Sequence, residues 1–266
     1  MKLSVSNIAW SAEDDVQMYE FLAGQGISGV EIAPTRIFPE NPYEKISEVS
    51  LFQRELLEKY NLAISSIQSI WYGISENMFA AKESRLFLLD YTKRTIEFAS
   101  AAMCNNIVFG CPKNRKCNGD VDAAYSTAVD FFHILGEYAA EHGTVIAMEA
   151  NPDIYGTDFI TTTPMAIQLA KDVNSRGFKV NLDVGTMICN DEDCTCLEQD
   201  YHLINHVHIS EPYLMPIEKR ILHEDLCRMA VGCGYEGYIS LETKNSNDIN
   251  LLKSQILYMK TIFGGD

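Results

Sequence analysis

Short apolar segments recur along the whole chain and alternate with segments in which apolar residues are spaced as on one face of a helix. The short segments are rich in Val, Ile and Leu, and several are apolar throughout, as in parallel strands buried on both faces. We predict eight strands, at Lys2–Ser6, Gly29–Ile32, Ala63–Ile67, Asn106–Phe109, Val145–Glu149, Lys179–Asp183, His206–Ile209 and Tyr238–Glu242.

Helical segments lie between these strands. The spacing predicts helices over Asp14–Ala23, Val49–Tyr60, Ser84–Ala101, Ala123–His142, Thr163–Val173, His223–Val231 and Asp248–Ile262. Strand and helix alternating through the whole chain are typical of an α/β protein with a parallel sheet, and eight repeats favour a closed barrel. The 266 residues are close to the roughly 250 typical of such a barrel, and no linker or break in composition divides them. We therefore predict a single (β/α)₈ TIM barrel over residues 1–266.

Composition and charge exclude several classes of protein. The hydrophobic content of 47% is enough for a large core, and the net charge of −16 argues against a nucleic-acid partner, which normally requires a basic face. We find neither a signal peptide nor an apolar run long enough for a membrane span. Eight cysteines in a chain of this length are not a dense disulfide framework, so we expect a reducing cytoplasm. A homo-oligomer is compatible with all of this.

Four strands in the second half of the chain carry a possible metal ligand at or near their C-terminal ends. The residues are Glu149, Asp183, His208 and Glu242, separated by 34, 25 and 34 residues. Because the C-terminal ends of barrel strands share one rim, we expect these four side chains to converge. Three carboxylates and one imidazole would require a cation, and this mainly oxygen set suits one divalent ion: Mn²⁺, Mg²⁺, Co²⁺ or Zn²⁺. The pattern predicts a metal-dependent enzyme.

Two of these residues, Glu149 and Glu242, are also candidate catalytic groups. A pair of carboxylates can remove a proton from one face of a substrate and return it on the other, next to a metal-polarised oxygen. The alternative is that both are only ligands. For the His-Val-His sequence of the seventh strand, we expect only His208 to point into the barrel, with His206 in packing or in a subunit contact.

Other polar and aromatic residues follow the strands of the first half. We expect a substrate pocket at this rim, with the indoles stacking on a sugar's C–H face. The candidates are Asn7, Trp10, Glu31, Gln68, Trp71 and Arg115, the last as a grip for an anionic group. Packing or solvation in loops is the alternative for each. In the loop after the sixth strand, we interpret Cys189, Cys194 and Cys196 as ordinary reduced thiols, because Cys-x₄-Cys-x-Cys lacks the spacing of a zinc module.

The chain resembles the xylose isomerase-like TIM-barrel superfamily over nearly its whole length. The resemblance lies in Met-Glu149-Ala-Asn-Pro, Asn-Leu-Asp183-Val-Gly-Thr, His-Val-His208-Ile-Ser-Glu-Pro and Gly-Tyr-Ile-Ser-Leu-Glu242. In ketose 3-epimerases of this superfamily, these four positions hold the divalent metal, and the two glutamates exchange protons with the substrate. The resemblance therefore implies that Glu149 and Glu242 are the acid/base pair.

Two positions depart from the ketose epimerase pattern. Thr186 and Leu214 stand where those enzymes have a His and an Arg that hold the carbonyl end of a ketose. The candidates to replace them are Arg115, Arg220, His223 and Lys244. We therefore expect an isomerase or epimerase of a sugar or sugar derivative other than a free-ketohexose 3-epimerase. A lyase of the inosose dehydratase type and a non-catalytic binding barrel remain the alternatives.

Overall fold

Eight parallel strands form a closed barrel in the computed structural model, which describes residues 1–265. In chain order they are β1 Lys2–Ser6, β2 Gly29–Ile32, β3 Ala63–Ile67, β4 Ile107–Phe109, β5 Ile146–Glu149, β6 Phe178–Asp183, β7 Ile204–Ile209 and β8 Tyr238–Leu241. Each strand pairs in parallel with the next, and β8 closes the barrel on β1. The predicted (β/α)₈ TIM barrel is confirmed.

Helices occupy the connections between the strands. They are α1 Asp15–Gly24, α2 Pro34–Ile37, α3 Ile46–Tyr60, α4 Lys82–Ala101, α5 Val121–Glu141, α6 Thr163–Val173, α7 Val184–Cys189, α8 Ile221–Gly232 and α9 Ile249–Phe263. The sequence analysis did not predict α2 and α7, because four and six residues are too few to show a helical period. No helix in residues 1–265 is both long and apolar enough to span a membrane.

The apolar core lies largely between the strands and the surrounding helices. Aromatic rings form part of it: Trp71 meets Phe109 edge to face at 4.7 Å, and Phe109 meets Phe132 at 4.8 Å. Polar side chains are buried inside the barrel itself. Glu31 on β2 contacts His208 on β7 across the interior, and the Gln68 amide donates to Glu31 at 3.0 Å. The barrel thus surrounds a polar centre.

Candidate metal centre and active site

The structure brings the four predicted ligands of β5–β8 together at the C-terminal rim. Glu149, Asp183, His208 and Glu242 each offer one ligand atom, and these atoms lie within 4.8 Å of one another. Both Glu149 Oε1, at 3.0 Å, and Glu242 Oε2, at 3.1 Å, face His208 Nδ1. His208 is fully buried and Asp183 and Glu242 nearly so, which places three carboxylates in a region with little water. Such a cluster requires a positive charge at its centre.

The orientation of His208 shows where that charge belongs. Its Nε2 lies 2.8 Å from Glu31 Oε2, which accepts the Nε2 proton in the neutral ring. Its buried Nδ1 has no hydrogen-bond partner among residues 1–265, although it faces two carboxylates. A lone pair directed at two carboxylate oxygens is repulsive unless a proton or a metal cation lies between them. The four residues therefore fit a divalent metal, with Glu31 orienting the imidazole in the way carboxylates commonly orient metal-bound histidines.

The negative charge of Glu31 and the positive charge of His208 stabilise each other. Burial alone would lower the pKa of His208, but Glu31 and Glu242 raise it well above its ordinary value. Burial would also raise the pKa of Glu31, yet the two histidines nearby lower it below its usual range. In the absence of a metal, a proton on His208 supplies the positive charge. A proton and a divalent cation therefore compete for the same position.

A chain of hydrogen bonds holds the Glu149 carboxylate. Oε1 accepts from the Asn181 amide and Oε2 from the Asn151 amide, both at 2.9 Å. Asn151 in turn accepts from Arg115 at 2.7 Å. Gly110, at the end of β4, leaves room for this carboxylate, because a Cβ there would lie 2.7 Å from Glu149 Oε2. These contacts fix the direction in which Glu149 faces the centre.

Asp183 is held by the start of α7 and by the loop after β7. As the N-cap of α7, its Oδ2 accepts from the Thr186 backbone N–H at 2.7 Å and from the Thr186 hydroxyl at 2.8 Å. The Ser210 hydroxyl donates to its Oδ1. Burial and the charge of Glu149 raise the pKa of Asp183. Thr186, one of the two departures from the ketose epimerase pattern, therefore orients one of the four candidate ligands.

Of the three carboxylates in the cluster, that of Glu242 makes the fewest hydrogen bonds. Its backbone N–H donates to Ile209 O at 2.9 Å, and its carboxylate faces His208. Burial raises the pKa of Glu242 to about 7, against the lowering effect of His208. A carboxyl group that titrates near neutrality suits proton transfer at physiological pH.

A cavity of about 220 Å³ opens above the cluster. Polar groups line it, among them Gln68, Asn151 and Ser210, together with Glu149, Asp183 and Glu242. Apolar side chains line it as well: Ile8, Val108, Pro112 and Leu214. Among the described residues that line it, none is Lys, Arg or His. A second cavity, of about 690 Å³, lies at the opposite end of the barrel, around the starts of β1, β7 and β8, and is remote from this cluster.

Two predicted pocket residues, Trp10 and Trp71, lie in the core instead. Each is 2% exposed. The Trp10 indole donates to Asp15 at 2.8 Å, and the Trp71 indole donates to the Thr92 hydroxyl at 3.0 Å. The expectation that they stack on a sugar is therefore corrected: large aromatic side chains with a partner for the indole N–H gain more from burial.

The other predicted pocket residues divide between the pocket and the layer behind it. Gln68 lines the cavity. Glu31 is fully buried beneath His208, so it supports a ligand and does not line the pocket. Asn7 is fully buried too, and its side chain accepts from the Ala33 N–H at 3.0 Å, which ties the loop after β1 to the end of β2. The position of a residue at the end of a strand does not reveal how deeply its side chain is buried in the barrel.

The basic residues expected to hold a substrate are not in the cavity. Arg115 is fully buried, and its guanidinium donates to the carbonyls of Phe159, Ile160 and Glu149 at 2.6, 3.2 and 3.0 Å. Arg115 therefore fixes the backbone at Glu149, Phe159 and Ile160, and its buried guanidinium is not accessible to an anion in the cavity. Lys244 is exposed outside the cavity.

Arg220 and His223, the remaining candidates, form hydrogen bonds with other side chains instead. Arg220 donates to both carboxylate oxygens of Glu211, at 2.7 and 2.5 Å. His223 is buried against the Tyr258 hydroxyl at 3.0 Å.

The prediction for His206 was wrong. His206 and His208 both point into the barrel, because residues two apart in a strand share a face. His206 Nε2 lies 3.3 Å from Glu31 Oε2, so the two imidazoles flank one carboxylate. These three residues form a second group with metal-ligand geometry, but His208 Nε2 already uses its proton on Glu31. We interpret them as the support beneath the main cluster.

All eight cysteines are unpaired in the structure, in agreement with the expected reduced thiols. Cys189, Cys194 and Cys196 do not form a metal-binding group within residues 1–265. Residues that the sequence analysis missed are Asn151, Asn181, Ser210 and the Thr186 hydroxyl. Each follows or precedes a ligand closely in the chain or in a neighbouring strand, but an uncharged polar residue in such a position gives no distinct sequence signal.

Comparison with known proteins places this geometry in context. A family model described as xylose isomerase-like TIM barrel matches residues 19–262. No curated protein matches the chain. The fold is similar to that of a 3-keto-D-glucoside 4-epimerase from E. coli, with a TM-score of 0.79 and 19% identity over 98% of this chain and 99% of that one. It is similar to a D-psicose 3-epimerase, with a TM-score of 0.81 and 16% identity over 100% of both chains. It also resembles a probable 3-DHS dehydratase from Bacillus anthracis, with a TM-score of 0.70 and 19% identity over 98% of this chain and 99% of that one.

Proposed function

The chain belongs to the xylose isomerase-like TIM-barrel family, and we propose that it is a divalent-metal-dependent isomerase or epimerase of a sugar or sugar derivative. The observation that carries this proposal is the buried His208 Nδ1, which has no hydrogen-bond partner in residues 1–265 and faces Glu149 and Glu242. The structural neighbours support the substrate class, because several are described as sugar epimerases or isomerases.

The proposed metal site consists of Glu149, Asp183, His208 and Glu242, with one ion of Mn²⁺, Mg²⁺, Co²⁺ or Zn²⁺. When bound, the metal would polarise a carbonyl or hydroxyl of the substrate and stabilise negative charge that develops there. This contribution is needed here because no basic side chain among the described residues lines the cavity.

We assign the proton transfers to Glu149 and Glu242. One carboxylate removes the proton from the substrate carbon beside the polarised oxygen, and the other returns a proton to the neighbouring carbon or the opposite face. Glu242 makes the fewest hydrogen bonds of the three carboxylates, so its oxygens are the freest to take up and release a proton. Asn181 and Asn151 hold Glu149 toward the same centre.

The pocket walls supply both polar and apolar contacts for a substrate. Gln68 and Ser69 line the cavity with groups that can form hydrogen bonds, whereas Asn151 and Ser210 are already engaged with Glu149 and Asp183, and Val108 and Leu214 give apolar contacts. Leu214 presents no charge at the position where ketose epimerases place an Arg. We therefore propose a substrate other than a free ketohexose held by its carbonyl end.

A lyase is the second candidate, because the same two departures remove the groups that hold a ketose and one structural neighbour is a probable dehydratase. Carboxylate-assisted proton removal would then be followed by loss of water.

The protein, loaded separately with Mn²⁺, Co²⁺, Mg²⁺ or Zn²⁺, should be screened in D₂O against ketoses, aldoses, keto-glycosides and cyclitols. Deuterium in a recovered substrate or its isomer, without net loss of water, supports the proposal. A new conjugated carbonyl indicates the lyase, and metal-loaded protein without exchange on any compound indicates a binding barrel.

A further inference from the structure

The catalytic pocket continues into a second, larger cleft on the β1–β3 side of the rim. The inner cavity measures about 220 Å³, whereas the outer cleft measures about 610 Å³. Ile8 and Ser69 line both, so the two spaces meet at these residues. The outer cleft is also lined by Ala33, Thr35, Arg36, Pro39, Tyr72 and Gly73. The inner space alone has room for little more than one sugar ring.

The most exposed aromatic ring of the outer cleft is Tyr72, which is 72% exposed. Its backbone is fixed by a tight turn, in which the Tyr72 N–H donates to Ser69 O at 3.0 Å. The preceding residue, Trp71, is buried and anchored through its indole to Thr92. The turn and the buried neighbour therefore fix the backbone position of Tyr72, which keeps its ring at the outer cleft. The sequence analysis expected Trp71, the preceding residue, to be an aromatic side chain that stacks on a sugar.

The remaining wall of the outer cleft favours an uncharged ligand. Ile8, Ala33 and Pro39 are apolar, and the Thr35 hydroxyl can donate or accept a hydrogen bond. The charge of Arg36 is neutralised by Asp15, to which it donates at 2.7 and 3.3 Å. An exposed tyrosine ring, apolar contacts and a few hydrogen-bonding groups are what the C–H face and hydroxyls of a pyranose require.

We infer that this cleft is an outer subsite for a second, uncharged sugar ring, so that the substrate is a glycoside or disaccharide. The inference rests on the proposed function, since it is the reacting ring that occupies the inner pocket. The second ring lies between Tyr72 and the wall formed by Ile8, Ala33 and Thr35, and does not touch the metal ligands. Its binding adds affinity and leaves the chemistry of the inner ring unchanged.

The test compares single sugars with disaccharides that contain them. Binding of D-fructose, maltulose and lactulose, and of D-glucose, maltose and cellobiose, is measured by calorimetry on Mn²⁺-loaded wild type and variants. At least one disaccharide should bind about tenfold more tightly than its own monosaccharide. Tyr72→Ala should remove most of this advantage, about five- to tenfold, and Tyr72→Phe should keep it, because the contribution is that of a stacked ring.

Two further variants localise the effect. Thr35→Trp places a large side chain among the residues that line the outer cleft and should block the disaccharide while the monosaccharide binds as before. Phe87→Ala removes another exposed aromatic ring, 40% exposed, which lies on α4 and lines neither the pocket nor the outer cleft, and should change nothing. If single sugars bind and no disaccharide binds better, the outer subsite is refuted and the proposed function stands. If neither these sugars nor any compound of the D₂O screen binds to metal-loaded protein, the proposed function and the subsite are both refuted.

Discussion

The two halves of the barrel divide the candidate site between them. The half formed by β5–β8 presents one possible metal ligand from each strand: Glu149, Asp183, His208 and Glu242. The half formed by β1–β4 presents no ligand to that group. Its residues support the centre from below, as Glu31 does, or line the pocket and the outer cleft, as Ile8, Gln68 and Ser69 do.

The difference follows from which side chains the interior can accommodate. Gly110 directly follows β4, and because glycine has no side chain it leaves space for the Glu149 carboxylate. On β2 the carboxylate of Glu31 lies in the layer below the ligands, where it contacts His208 Nε2. In the proposed function, one half supplies the reactive groups, and the other supplies their orientation and the shape of the cleft. Four predictions test this division, from the largest expected effect to the smallest.

Loss of a proposed acid/base group should have the largest effect. Glu149→Gln and Glu242→Gln conserve volume but cannot transfer the proton, so each should slow substrate C–H exchange in D₂O by about 10²–10⁴-fold. Metal content must be measured alongside, because each substitution also removes a ligand. Glu218→Gln, in a 74% exposed side chain of the loop after β7, is the matched control and should exchange at the wild-type rate. Metal-loaded variants as fast as wild type would remove the two glutamates from the mechanism.

Replacement of Arg115 should affect stability more than substrate binding. Arg115→Met leaves several buried carbonyl groups and the Asn151 amide oxygen without a donor, which should lower the free energy of unfolding by about 3–5 kcal/mol. Arg54→Met, on an exposed face of α3, should change it by no more than about 0.5 kcal/mol. Denaturant unfolding measures both. An Arg115→Met protein of normal stability but poor substrate affinity would restore the anion-binding role expected from the sequence.

Removal of the Glu31 charge should weaken metal binding without removing a ligand. Glu31→Gln leaves all four ligands in place, but His208 loses the carboxylate that orients it, and metal affinity should fall by about 10–100-fold. His206→Gln should have a smaller effect, since its 3.3 Å contact with Glu31 is not a good hydrogen bond. Competition with a chelator gives both affinities. Equal losses for the two variants would mean that the supporting layer acts as a whole and not through His208.

The contribution of Glu242 to the pH dependence of metal binding should be the smallest of the four effects, because it comes from one proton that the metal displaces. Burial raises the pKa of Glu242 to about 7, so below that pH the carboxyl group must lose a proton to bind the metal, and this contribution should lower the affinity about fivefold as the pH falls from 7 to 6. The raised pKa of His208 adds a further dependence that continues above pH 7. In Glu242→Gln the extra slope below pH 7 should disappear. A wild-type affinity that stays constant between pH 5 and 7 would contradict this assignment.

Sequence periodicity was sufficient to predict the barrel and the convergence of Glu149, Asp183, His208 and Glu242 at one rim. Buried parallel strands are continuous apolar runs, so a charged residue that ends one is conspicuous, as at Glu149 and Glu242. The supporting half was harder to predict, because the depth of a side chain depends on its contacts across the barrel. Nothing in the sequence indicates that Glu31 lies below His208, that Arg115 faces carbonyl groups or that Trp71 is buried while Tyr72 is exposed. The error at His206 was one of strand geometry and could have been avoided.

The metal content of the purified protein tests the central claim most directly. Protein prepared without chelator and reconstituted with Mn²⁺, Co²⁺ or Zn²⁺ should contain one tightly bound ion per chain by elemental analysis. The double variant Asp183→Asn/Glu242→Gln, with two of the three carboxylate ligands neutralised, should contain none. Wild-type protein that holds no divalent ion after reconstitution with any of these metals would contradict the account.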